Sequence, residues 1–129
     1  RLAEELNRAA QQQSRVLPVL LQVNLGQEAT KFGAQEDEVI RLLEKMASLP
    51  GISVKGLMTM PPYFENPEES RPYFRALREL NEAISRRGIP GVLMEELSMG
   101  MSNDFEAAVE EGATLVRVGT AIFGPRPAK

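Results

Sequence analysis

The stretch LPVLLQV, Leu17 to Val23, is apolar at every position except Gln22. A strand with one wet face alternates apolar and polar side chains, so a run that fails to alternate predicts a strand buried on both faces, as in a parallel sheet covered by helices. The run ends in a polar loop, NLGQEATKFGA, residues 24–34. Upstream, RLAEELNRAAQQQ places Leu2, Leu6, Ala9 and Ala10 on one helical stripe. Downstream, Val39, Leu42, Leu43 and Met46 recur at helical spacing until Pro50-Gly51 stops the helix.

The same rhythm continues to the end of the chain. ISVKGLMTM, Ile52 to Met60, is a second strand candidate, followed by the loop PPYFENPEES. A helix starting near Ser70 tolerates Pro72 in its first turn, carries Tyr73, Leu77, Leu80 and Ile84 on one stripe, and ends at Gly88. VLMEELSM, Val92 to Met99, is the third strand, its paired core expected to begin near Leu97. Ser102 is a natural N-cap with Asp104 in the first turn, opening a helix that turns Phe105, Ala108 and Val109 inward until Gly112. TLVRVG is the fourth strand, and a short tail helix is expected after Ile122.

Strand and helix alternating in this way imply a parallel α/β sheet, in one domain spanning residues 1–129. Four such units make either a small open sheet or half of a closed (β/α)8 barrel. Barrels place function in the loops after their strands, and all four loops here are polar or glycine-rich, which favours the barrel.

Composition narrows the chemistry. The net charge of -3, without any basic block, gives nucleic acid or an anionic membrane little electrostatic reason to bind. Cysteine and histidine are absent, which excludes disulfides, thiolate or imidazole metal sites and Ser-His or Cys-His nucleophiles. No signal-peptide pattern opens the chain and no apolar run approaches the ~20 residues of a membrane span, so a cytoplasmic location is expected. A helical stripe that begins at once, without an initiator methionine, reads as the interior of a longer chain.

Several residues remain that could carry function. Arg117 lies inside an apolar strand pattern, where an unpaired guanidinium is costly, so it requires an anion, a carboxylate or solvent. A structural ion pair with Glu96, Glu106 or Glu110 and a bound ligand are equally open. Gly119-Thr120, directly after the strand, suit a phosphate, because glycine admits close backbone approach and the hydroxyl and amides donate. Ser102 and the helix start after it supply a second set of donors. Ser98, at the end of the third strand, could face a ligand ring or be satisfied by backbone. Met58, Met60, Met99 and Met101 read as adaptable packing, and Lys31 as a solvated loop lysine.

The segment LSMGMSNDFEAAVEEGATLVRVGTAIFG, Leu97 to Gly124, resembles the closing segment of the pyridoxal phosphate homeostasis proteins. LQVNLGQEATKFG and VKGLMTM fall in order with the later strands of that family. The resemblance implies a fold type III barrel, like the alanine racemase N-terminal domain, that binds pyridoxal 5'-phosphate (PLP). It implies that Ser102, Gly119 and Thr120 hold the cofactor phosphate, that Arg117 is a charge partner near the cofactor, and that Ser98 lies near the pyridine ring. It further implies that this chain is the second half of the barrel, strands five to eight. The Schiff-base lysine then belongs to an N-terminal half outside it, which, or another chain, is needed to close the barrel. Lys31 matches a lysine of that family's K-x-G loop and not the Schiff-base position.

The expected role is cofactor binding in vitamin B6 and amino-acid homeostasis, with apo-enzymes as recipients and no classical turnover. One alternative is a PLP-dependent racemase or decarboxylase, for which Tyr63 is the available acid/base group and Tyr73 reads as helix core. Another is a barrel that binds a sugar phosphate.

Overall fold

The computed structural model describes residues 1–26 and 32–128. Its elements are α1 (Leu2–Gln12), β1 (Leu17–Gln22), α2 (Val39–Ala47), β2 (Ile52–Met58), α3 (Arg71–Arg87), β3 (Val92–Met101), α4 (Phe105–Glu110), β4 (Leu115–Arg117) and α5 (Thr120–Phe123). Short 3-10 turns, Glu36–Glu38 and Pro67–Ser70, lead into α2 and α3. The strands form one parallel sheet in the order β1-β2-β3-β4, a half-barrel with helices on one side.

The strands flanked on both sides are β2 and β3, not β1. Ile52, Val54 and Leu57 of β2 are buried, whereas Leu17 is 40% exposed and Val19 to Gln22 only half-buried. The apolar run of β1 is read correctly as a strand but wrongly as a fully covered one: Leu17 and Pro18 are exposed, and full burial is reached only at Val23, just past β1. Leu2, 72% exposed, and Ala9 likewise stand outside the core, and Ala10 is the buried residue of α1.

The core lies between the sheet and α2, α3 and α4, built on Leu43, Leu57, Phe74, Leu77, Ile84 and Met99. In α3 the inward stripe runs through Phe74, Leu77, Asn81 and Ile84. The expected Tyr73 is instead half-buried at the edge, its ring 5.9 Å from that of Phe64. Asn81 is tolerated inside because its Nδ2 donates to Met94 O at 3.1 Å. Gly88, with φ 62°, ends α3 in the left-handed conformation.

Two close approaches set the register. Val54 pairs with Val92 and Gly56 with Glu96, so β3 advances further than β2 between the two pairs. At Gly56 a Cβ would collide with the Glu96 backbone, and only glycine lets the strands meet there. At Gly100, φ 99°, a Cβ would come within 2.6 Å of Ala108 Cβ. This contact places Ala107 and Ala108 of α4 against the sheet and leaves Val109, expected inward, 54% exposed. Among the described residues no helix is long and apolar enough to cross a membrane.

Candidate functional site

The C-terminal ends of the strands are tied together by backbone and hydroxyl bonds. Thr59, just past β2, donates its hydroxyl to Val23 O at 2.9 Å and its amide to Ser98 O at 3.1 Å. Ser98 is buried, 7% exposed, in β3 beside Met58, the last residue of β2.

Beyond Ser98 the β3–β4 register slips. Ser98 pairs with Leu115 but Met101 pairs with Arg117. The slip carries the residue after Met101 up to the end of β4. There Ser102 Oγ accepts hydrogen bonds from Gly119 N at 3.0 Å and Ala121 N at 3.1 Å. Ser102 is held in place by its neighbours, since Asp104 Oδ1 accepts from Met101 N at 2.8 Å and Asn103 Nδ2 donates to Phe64 O at 2.7 Å. The N-cap of α4 is Asp104, so Ser102 does not open that helix. Its oxygen caps the start of α5 from across the sheet instead.

The structure thus brings Ser102 to Gly119 and the turn that contains Thr120. The N–H of Thr120, as the first residue of α5, has no carbonyl of its own helix to reach. A Cβ at Gly119 would meet nothing within 4 Å, so the space beside this turn is open. A hydroxyl proton, an amide and the Thr120 side chain are donors of the kind that a phosphate accepts from.

Arg117 differs from the sequence reading. It is exposed rather than buried, as is every residue of β4 at the edge of the described sheet. Val116 faces α4, lying 3.5 Å from the position of a Gly100 Cβ, so strand alternation turns Arg117 to the opposite, helix-free face. It makes no ion pair among the described residues. Of its candidate carboxylates, Glu110 binds Arg71 Nη2 at 2.7 Å and Glu96 accepts from Thr114 Oγ1 at 2.6 Å. Lys31 lies outside the described residues. Tyr63 is 79% exposed in the loop after β2.

One cluster behind the site was not anticipated. Glu111, 6% exposed, is bound by Arg71, Arg75 and Arg78 at 3.4, 3.2 and 2.9 Å. Hydrogen bonds from Arg75, reinforced by the other two guanidiniums, hold the Glu111 carboxyl below the usual carboxylate range. Arg71, donating to Glu68, Glu110 and Glu111, has its own pKa raised. The signal in the sequence is arginine at 71, 75 and 78, one helical stripe, facing the paired acids before Gly112.

With this geometry in hand, the chain matches the model of the alanine racemase N-terminal domain over residues 1–127. The chain belongs to that family. Among members it is 50% identical over 125 residues to the pyridoxal phosphate homeostasis protein of Aquifex aeolicus, covering 97% of this chain and 54% of the relative. With the protein of the same name from Escherichia coli K12 it shares 38% over 127 residues, 98% of this chain and 53% of the other. The chain spans about half the length of the curated relatives it matches.

Among solved structures, PipY of Synechococcus elongatus PCC7942 with PLP bound superposes with a TM-score of 0.83 at 35% identity, covering 95% of this chain and 56% of that one. An alanine racemase of Clostridium difficile superposes with a TM-score of 0.68 at 18% identity, covering 98% of this chain and 33% of that one, which shows the shared fold of the family.

Proposed function

We propose that the protein to which this chain belongs binds PLP and serves vitamin B6 and amino-acid homeostasis in the cytoplasm, passing cofactor to apo-enzymes without turning over a substrate of its own. The observation that carries the reading is the junction of Ser102 with the Gly119–Ala121 turn, a donor set that suits the cofactor phosphate. The names of the similar proteins support it, and so does PLP in the PipY structure.

In this reading the four strands are the second half of the barrel, and the remaining strands, with the lysine that joins the cofactor aldehyde, come from outside this chain. Thr120 and the Ser102 hydroxyl hold the phosphate, Gly119 gives it room, and Arg117 supplies positive charge from the helix-free face of β4. Ser98 stands at the β2–β3 junction toward the ring. Bound PLP supplies an electrophilic aldehyde and an electron-withdrawing ring. The chain's own residues fix its anionic end and keep its position constant.

The test is a PLP titration of the protein containing both halves, followed by ring absorbance, with Thr120→Val alongside. Saturable binding that Thr120→Val weakens supports the reading. A flat titration, or binding that displays steady conversion of amino acids, overturns it.

A further inference from the structure

Pro61 and Pro62 come soon after β2, and neither has an N–H with which to continue a strand ladder. Val23 N donates to Met58 O at 2.8 Å, and the next rung of a regular parallel pair would bring Met60 N to the Val23 carbonyl. In its place the Thr59 hydroxyl donates to Val23 O at 2.9 Å. On the other side the Thr59 amide donates to Ser98 O at 3.1 Å. A single residue, 2% exposed, thus joins the ends of β1, β2 and β3 just before the chain leaves the sheet.

The strand itself does not call for that hydroxyl. Valine has nearly the same shape and suits a strand equally well, but it would leave the Val23 carbonyl without this donor. Ser98, the residue held on the β3 side, lies between Leu97 and Met99, which are both in the core, so its side chain turns to the helix-free face.

We infer that Thr59 is a positioning residue: drawn to β1 by its hydroxyl and to β3 by its amide, it fixes where Ser98 stands on the helix-free face. This rests on the reading of that face as a PLP site with Ser98 toward the ring. A site residue held from behind is already in place when the ligand arrives, and no affinity is lost in ordering it.

The test is PLP affinity and amide hydrogen exchange in the protein containing both halves. In Thr59→Val the Val23 and Thr59-position amides should exchange faster, and PLP affinity should fall about fivefold, the scale of one ordinary hydrogen bond. Thr59→Ser, which keeps the donor, should restore both. The Leu57 amide, in the centre of the sheet, reports whether each variant is folded. A folded Thr59→Val that binds PLP as the wild type does, or a Thr59→Ser as weak as Thr59→Val, overturns the inference.

A role confined to stability is separated by a double-mutant cycle. Because Thr59 acts through Ser98, Thr59→Val should weaken binding little further once Ser98→Ala is in place, whereas fully additive losses overturn the inference. If Thr59→Val does not fold, Thr59→Ala carries the same expectations, and failure of both to fold would make the contact a requirement of the fold and overturn its assignment to the site. A wild type that does not bind PLP would overturn the cofactor reading and this role with it. A wild type that binds, with variants that bind equally well, would overturn the role of Thr59 alone.

Discussion

Glu111 and Arg78 meet twice: Arg78 Nη1 donates to Glu111 Oε2 at 2.9 Å and to its backbone carbonyl at 3.3 Å. With Arg71 and Arg75 on the same carboxylate, the contact fastens the end of α4 to α3, and α4 is the helix that follows Ser102. Glu111→Gln should cost about 2 kcal/mol at neutral pH, more than an exposed pair because the carboxylate is buried, less than a fully buried triad because the arginines reach solvent. The sign of its pH dependence follows from the lowered pKa. The stabilisation is complete above the ordinary carboxylate value and is lost as pH falls through the lower, folded one. Urea midpoints of wild type and variant should therefore differ at neutral pH and converge in acid.

Gly56→Ala should be severe. Its methyl would meet the Glu96 backbone, which is part of the sheet and cannot step aside. A loss above about 3 kcal/mol, or failure to fold, is expected. Gly88→Ala offers the contrast: nothing lies within 4 Å, and only the left-handed φ of 62° is penalised, at about 1 kcal/mol. Circular dichroism melts of the two variants would separate collision from conformational strain.

Ser70 is fully buried, yet its Oγ has no hydrogen-bond partner among the described residues. A buried hydroxyl without a partner has lost its hydration and gained nothing, so Ser70→Ala should stabilise the protein by about 1 kcal/mol. A lowered melting temperature would show that the hydroxyl is satisfied in solution.

Arg117→Gln should leave the melting temperature unchanged, since the side chain is exposed and pairs with no carboxylate among the described residues. PLP affinity of the protein with both halves should fall about tenfold, the scale of a charge-assisted bond. Unchanged affinity would remove Arg117 from the site.

The strand and helix rhythm was legible because it depends on local periodicity, and Val39, Leu43 and Met46 fell inward as their spacing required. What the periodicity could not convey was which strand stands at an edge. LPVLLQV is as apolar as a central strand, yet Leu17 is 40% exposed at the edge of the described sheet, and position in the sheet is a fact of topology. Arg117 failed for the same reason, its burial being inferred from its strand and decided by the strand's position. Tyr73 lost its place to Phe74, one residue round the same helix. The meeting of Ser102 with Gly119 depends on the register slip between Ser98 and Met101, which no local pattern announces. The Glu111 cluster was open to helical-wheel reasoning, but a carboxylate at the end of a short helix gives no sign that it turns inward.

The sheet order β1-β2-β3-β4 also bears on how the chain acquires its shape. Leu17 pairs with Ile52, Val54 with Val92 and Ser98 with Leu115, so each strand's partner is the next to be made. Among the four described strands none waits for a distant one of the same four, and each is separated from its partner by one helix-bearing connection. Pairing can proceed in the direction of synthesis, one βα unit docking on the last, with the Ser102–Gly119 junction completed only when the final turn emerges.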